Sequence, residues 1–569
     1  EDVTNQIMSA TKGLSPQEAF TVRKKIIAKL EKENTVEHHQ TAEVVELYNG
    51  GEYWLYTYKK YRDVRLVMAP EEKIANVGED YDNFTYPRYS LDFAIFRVYE
   101  DGKPVNSKNY LPIRKDTIKE DELVFVSGHP AWSSRFCTFS EVEFVTEYTR
   151  RDINNLVEMI TTLERYMEKS PENDRRAKAL YQYLLNVEKA SLGEYKGLID
   201  PVIRTKLKDN DENLKKLVLE RKDLKEEVGD SWKVIDKTYE LYTENLEKYT
   251  HRRLSIYKDN SLPGLASEIV FFAKEIQKPD GERLDGYHDS QLGSWKYQIL
   301  SPAPVYKDLE ITVFQQEMEW ALQKLGKDDP YVKILLAGKT PDQRALELVE
   351  NTQLDELEFR KKLIEGKPEE ILASNDPLIR LAIQLEPLRR EMREWRNEKI
   401  KSILTSAREK LAKARFALYG KSLYPDATFT LRLAYGTIKG YAYNGTLAPH
   451  KTTFYGLFDR YFSFDNPQGD WGLTPTFVKH KNDIRLETPL NCVITCDTLG
   501  GNSGSPVFDQ KGRVIGLLFD GNIESLVATY AFLPENNRSV VVNTEGILEA
   551  MECVYKTGKL NLELLEYAE

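Results

Sequence analysis

The chain of 569 residues is long enough for about three globular domains, and at 41% hydrophobic and 30% charged it has the composition of a water-soluble protein. No run approaches the roughly 18–20 apolar residues of a membrane span, so no integral membrane segment is expected. A formal charge of -11 argues against a nucleic-acid partner, which would need a basic stripe to displace counterions from phosphate.

The chain opens with EDVTNQIMSATKG, which has neither an initiator Met nor the basic start and apolar run of a signal peptide, and reads as a processed form or a fragment. From about residue 42 to 147, runs such as AEVVELYNGGEYWLYTYKK, LDFAIFRVY and ELVFVSGHP alternate with Gly, Pro and Asn turns. Residues 1–147 therefore read as the front part of an antiparallel barrel or sandwich. From 148 to 420, charged segments carry apolar residues three and four apart, a helical texture. Pro201, Pro263, Pro302, Pro304 and Pro387 divide it, which favours a compact bundle over a coiled-coil stalk. The basic run REWRNEKIKSILTSAREKLAKAR within it reads as a solvated helix face. From 421 to 569 strands return in ATFTLRLAYGTIKGYAY, NCVITCDT, GRVIGLLFDG and RSVVVNTEGI, with a last helix around GILEAMECVYK. The expected fold class is α+β, with two β halves joined in space and helices set over the seam.

Cys137, Cys492, Cys496 and Cys553 are too few for a disulfide-stapled scaffold, and Cys492 with Cys496 lacks the second pair of a zinc site. There is no HExxH and no phosphate loop, and the acidic run DNDEN reads as a loop face, so no cofactor and no metal is expected.

Chemistry concentrates in GGNSGSPVFDQKGRVIGLLFDGN. The glycines let the backbone turn sharply around Ser503 and direct peptide N–H groups inward, where an oxyanion can be held. The following residues read as a hairpin turning at Gln510-Lys511-Gly512, so Ser503 sits between strands of a barrel. The bland alternative is a turn without chemistry. Asp92 stands near the start of the apolar strand LDFAIFRVY, where a carboxylate must be hydrogen-bonded or paired. It either orients a catalytic histidine or bonds the backbone of its own turn. The order Asp92 then Ser503 fits a chymotrypsin-like His, Asp, Ser arrangement.

DNFTYPRYSLDFAIFRVY, SGHPAWSSRF, SQLGSWKYQILSPAPV, TCDTLGGNSGSPV and IGLLFDGN together resemble the bacterial dipeptidyl peptidase 7 and dipeptidyl peptidase 11 family of serine exopeptidases, in order through nearly the whole chain. The resemblance implies a chymotrypsin-like double β-barrel interrupted by a large α-helical cap domain, and release of dipeptides from free amino termini of oligopeptides. It implies Ser503 as nucleophile, Asp92 as the orienting carboxylate and the N–H groups of Gly501 and Ser503 as oxyanion hole. Asn83 and Asp520 match residues that hold the substrate's ammonium group, and Phe84 stands where the family has tryptophan. A family asparagine on the helical domain falls near SLGEYKG and is replaced, with Glu194 the residue in its place. Gly521 stands where the acidic-specific members carry arginine, which leaves an open, uncharged S1 pocket for a bulky hydrophobic P1 residue. By resemblance the protein is a homodimer of the periplasm or cell surface.

The histidine motif of the family is missing from the sequence. His38 and His39 precede Asp92 but lie in a connecting loop, His129 belongs to the SGHP turn, and His251, His288, His450 and His480 follow Asp92 in the chain. The expectation is a catalytic histidine outside this chain and a chain nearly inactive by itself. The rival readings are a peptide-binding pseudoenzyme and a chymotrypsin-fold endopeptidase.

Overall fold

In LYNGGE, Tyr48, Asn49 and Gly50 all take positive φ and turn the chain, so that Gln40–Leu47 pairs antiparallel with Glu52–Lys59 in the computed structural model, which describes residues 1–36, 40–258, 260–464 and 466–566. His38 and His39 lie outside the described residues. Ser15 opens the helix Pro16–Asn34 with a capping box closed by Glu18. This helix and Thr4–Thr11 bury Val3, Ile7 and Leu30 against Ala42, Tyr53 and Leu55 of the hairpin. Arg23 then pairs with Glu409 on the helix Ser402–Tyr419.

Residues Glu1–Lys60 accordingly share a compact unit with Thr138–Glu188 and Asn210–Pro425. Strand texture placed them with the β section 1–147. The apolar face of the hairpin is covered by helices of its own segment, which is what moves them.

The rest of this unit is helical, with long elements at Phe139–Met167, Ser231–His251, Leu262–Glu275, Lys307–Leu325, Pro377–Trp395 and Ser402–Tyr419. Leu262–Glu275 is buried along most of its length and runs through the core, where Leu265, Ile269, Val270 and Phe272 are packed. Pro201 and Pro263 begin helices, where a missing N–H costs nothing. Pro387 lies inside Pro377–Trp395 and does not end it. Arg393 and Arg396 of the basic run are half-buried, so that run is not simply a solvated face. Among the described residues no helix is long and apolar enough to cross a membrane.

Glu317, buried on the helix Lys307–Leu325, accepts a hydrogen bond from the Ile256 amide at 2.7 Å, yet burial pushes its carboxyl up to about 7 from the ordinary 4.5. Between those values the unfolded chain has released this proton and the folded chain has not, so stability falls as pH rises and levels off above 7. The contribution lost is about 3 kcal/mol. Glu317→Gln keeps the acceptor and should gain melting temperature over wild type progressively from pH 5 to 7; an offset constant across that range would contradict this reading.

The second compact unit comprises Tyr61–Cys137, Lys189–Asp209 and Asp426–Glu569. Its main sheet runs Lys451–Thr453, Pro489–Ile494, Ser539–Asn543, Val514–Gly521, Pro506–Asp509, Leu123–Gly128 and Arg432–Thr437, with every neighbouring pair antiparallel. Ile438 bridges Ile494 and the Thr495 amide donates to the Thr437 carbonyl at 2.9 Å, so the end of the sheet closes back on its second strand. Val124, Val126, Cys492, Ile494, Val507, Ile515 and Val541 fill the ring. The thiol of Cys492 is pushed up to about 12 by this burial.

Leu123–Gly128 comes from the front section but is a stave of this ring, because its alternate buried residues face the same interior. The front section keeps an open ladder of Asp63–Met68, Ile95–Glu100 and Lys103–Pro104. Among the described residues the expected pair of barrels is thus one closed ring and one open ladder. LDFAIFRVY is a strand only from Ile95, and Asp92 precedes it, exposed rather than buried.

Candidate active site around Ser503

The strand Pro489–Ile494 leads into a loop braced from both sides. The Asn502 amide donates to the Leu499 carbonyl at 3.1 Å, and the Asn502 side chain accepts from the Leu499 amide at 3.2 Å. On the far side the Gly504 amide donates to the Leu518 carbonyl at 2.7 Å. Gly501 has φ +95°, and a Cβ there would stand 2.6 Å from the His129 carbonyl oxygen and 2.9 Å from the Ala131 nitrogen. Only glycine fits. The loop is also tied to the SGHP turn by the Ala131 amide, which donates to the Gly500 carbonyl at 2.7 Å.

Ser503 is exposed at the tip, with Oγ donating to the Phe519 carbonyl at 3.5 Å. Among the described residues the amides of Gly501 and Ser503 make no hydrogen bond. A nucleophilic hydroxyl flanked by unengaged N–H donors is what an acyl-transfer site requires.

The strand carrying Phe519 ends at Asp520 and Gly521. Asp520 is the centre of a buried polar cluster: its Oδ2 accepts from the Phe84 amide at 3.1 Å and from Arg88 Nη1 at 3.0 Å, and its Oδ1 accepts from the Gly521 amide at 2.8 Å. The side chains of Arg88 and Asp520 are 4% and 6% exposed, so this is an interior ion pair. Burial raises the pKa of Asp520 and Arg88 opposes the rise. The structure thus brings Asn83–Phe84 and Asp520–Gly521 together, and the charge of Asp520 is already met inside the protein.

Arg88 organises the site and was not found by sequence reasoning. Its guanidinium also donates to the Asp82 carbonyl, to Ser90 Oγ at 3.1 Å and to Asn76 Oδ1 at 3.4 Å, and it lies over the Phe519 ring. A buried arginine needs an acid, but its acid stands 432 positions away in the chain. Phe84, at φ +52°, takes the strained turn that Arg88 and Asp520 hold.

Asp92 is exposed and makes no hydrogen bond among the described residues. Surrounding protein desolvates the carboxyl enough to raise its pKa, against the pull of Arg88. None of the five described histidines reaches it: His251 pairs with Glu247, His288 with Asp280 and Asp285, His450 with Glu120 and His480 with Asp483, while the His129 ring lies edge-on to Phe429.

The helix Pro171–Ile199 ends in SLGEYKG. A Cβ at Gly193 or Gly197 would meet Leu526 at 2.3 Å or Val527 at 2.5 Å, so both glycines permit its last turns to lie against the short helix that follows Gly521. Glu194 is half-buried on those turns, and Lys189, at their start, donates to the carbonyls of Asp80 and Tyr81.

Comparison with known proteins bears on family and fold. The peptidase S46 family matches residues 1–565. An Asp/Glu-specific dipeptidyl-peptidase of Shewanella putrefaciens is 27% identical over 93% of this chain and 78% of its own length. A dipeptidyl-peptidase 7 of Porphyromonas endodontalis is 26% identical over 99% of this chain and 70% of its own. Among solved structures, Porphyromonas endodontalis DPP11 in complex with the dipeptide Arg-Glu superposes with a TM-score of 0.80 at 20% identity, covering 100% of this chain and 84% of that one. The chain belongs to the peptidase S46 family.

Proposed function

We propose that this protein is a serine dipeptidyl-peptidase that releases dipeptides from the free amino terminus of oligopeptides. The observation that carries the reading is the exposed Ser503 hydroxyl beside the unengaged amides of Gly501 and Ser503, in a chain of this family. Ser503 Oγ attacks the carbonyl after the second residue, the two amides take the oxyanion, and an acyl-enzyme forms as the shortened peptide leaves with a proton. Water then releases the dipeptide. Asn83 holds the substrate's ammonium group beside the aromatic wall of Phe84, and Asp520, which accepts from the Phe84 amide, fixes that turn while adding negative charge behind it.

The base has to be an imidazole oriented by Asp92, and the five described histidines do not supply it. His38 and His39 lie outside the described residues; should neither supply the base, hydrolysis by this chain falls to the level that an oxyanion pocket and binding sustain without a complete triad, roughly 10³–10⁴ over water. The unpartnered Asp92 also favours a second reading, a peptide-binding protein that releases no dipeptide at any time. Action in the periplasm or at the cell surface and assembly as a homodimer belong to the first reading and rest on resemblance.

The relatives include both Asp/Glu-specific dipeptidyl-peptidases and dipeptidyl-peptidase 7, so the site itself has to decide the P1 preference. Gly521 brings no cation to the pocket, and an acidic P1 side chain would enter it unpaired. A bulky apolar P1 residue is the expected preference. Gly521→Arg should then move selectivity toward Glu by about tenfold or more in kcat/KM, once Ser525, whose Oγ stands 2.5 Å from the new Cβ, has turned aside. A wild type that already prefers Glu at P1 would overturn the pocket reading.

A further inference from the structure

In the helical unit a cavity of about 190 Å³ is lined by Arg252, Arg253, Arg389 and Arg393, with Ser267 and Glu268 opposite. Arg389 and Arg393 stand one turn apart on the helix Pro377–Trp395, a like-charge spacing that costs stability in isolation. Arg389 donates to Ser267 Oγ, and Arg389 and Arg393 lie 5.1 and 4.6 Å from the Phe271 ring centroid. Neither forms an ion pair, nor does Arg253, among the described residues. Arg252 pairs with Asp329 at 2.8 Å, and Glu268 accepts from the Tyr287 hydroxyl. Four guanidiniums thus face two carboxylates, and Glu317, which also acts on Arg253, is held partly protonated at neutral pH.

A surplus of positive charge is left over. Buried guanidinium donors are left over as well: Arg252 Nε, Arg389 Nε and Arg393 Nη1 have no hydrogen-bond partner among the described residues. Burial lowers the pKa of Arg389, and the neighbouring Arg393 lowers it further, against the opposing pull of Glu268. Leaving such groups unmet is costly, and the guanidinium fork is matched to tetrahedral and planar oxyanions.

We propose that this cavity is a binding site for a doubly charged oxyanion, hydrogen phosphate or the phosphoryl group of a small ester. The dianion completes the charge balance, its oxygens supply acceptors for the unmet donors, and the exposed Arg253 gives it a way in. The site is separate from Ser503 chemistry and does not depend on the proposed peptidase activity.

Calorimetric titration of the chain in phosphate-free buffer tests it. Phosphate and sulfate should each saturate one site with a dissociation constant below about 1 mM, while acetate and chloride at equal ionic strength should not. Glycerol 3-phosphate binding at least as tightly as phosphate would identify the ester form, and weaker binding the free ion. Arg253→Gln, at an exposed position that leaves the core intact, should weaken phosphate about tenfold, and Arg389→Met at least as much. No saturable heat with phosphate, equal binding of acetate, or unchanged affinity in Arg253→Gln would each overturn the proposal.

Discussion

Arg88→Met should lower the melting temperature on the order of 10 °C, because it leaves Asp520 buried without its counter-charge, a loss of roughly 3–5 kcal/mol in a unit of this size. Two further effects separate this from ordinary cavity formation. Asp520 already titrates above the usual carboxylate range, and without Arg88 it titrates higher still. The folded state then holds a proton that the unfolded state releases, so the mutant's deficit should shrink as pH falls toward 5 and grow as it rises. Asp520→Asn in the Arg88→Met background should recover part of the loss, because the uncompensated charge is gone. A deficit that is small, or independent of pH, would show that the pair does not carry the site. The turn proposed to hold the substrate's amino terminus should suffer too, since the Phe84 amide donates to the same carboxylate.

Gly501→Ala should leave the ring folded and reduce kcat about 10²–10³-fold with KM little changed. The new Cβ meets the His129 carbonyl oxygen and the Ala131 nitrogen, both backbone atoms that cannot rotate away, so the peptide that presents the Gly501 and Ser503 amides has to move. Gly504 is the internal control. It also has positive φ, at +85°, but nothing lies within 4 Å of its Cβ position, so Gly504→Ala carries backbone strain alone, of order 1–3 kcal/mol, and should cost much less activity. Equal losses in the two variants would mean that strain, not displacement of the donors, is what the first experiment measured.

How much of this was legible in the sequence depended on whether partners were local. The Ser503 loop and the hairpin beyond it follow from GNSG and from Gln510-Lys511-Gly512, and Pro506–Asp509 does turn back onto Val514–Gly521 there. The helical middle follows from apolar spacing. Three features failed because tertiary packing decides them. Residues 1–60 contain a true β-hairpin, but its apolar face is buried by helices rather than by other strands. Leu123–Gly128 looks like its sequence neighbours and completes a sheet whose other strands begin 304 or more residues later. Asp92 was placed near the start of a strand because LDFAIFRVY is almost continuously apolar, whereas the strand starts three residues after it. Arg88 and the arginines around Ser267 were hidden for one shared reason: a charged residue in a charged segment reads as surface until its partners, or the lack of them, are seen.

The central claim is that Ser503 releases dipeptides counted from a free amino terminus, and its most direct test is product analysis by mass spectrometry. One hexapeptide, free and amino-acetylated, is incubated for long times with the wild-type chain and with Ser503→Ala. The account predicts dipeptides from the free peptide only, slowly, and none with Ser503→Ala. Internal cleavage of both peptides, or the same dipeptides from Ser503→Ala, would contradict it.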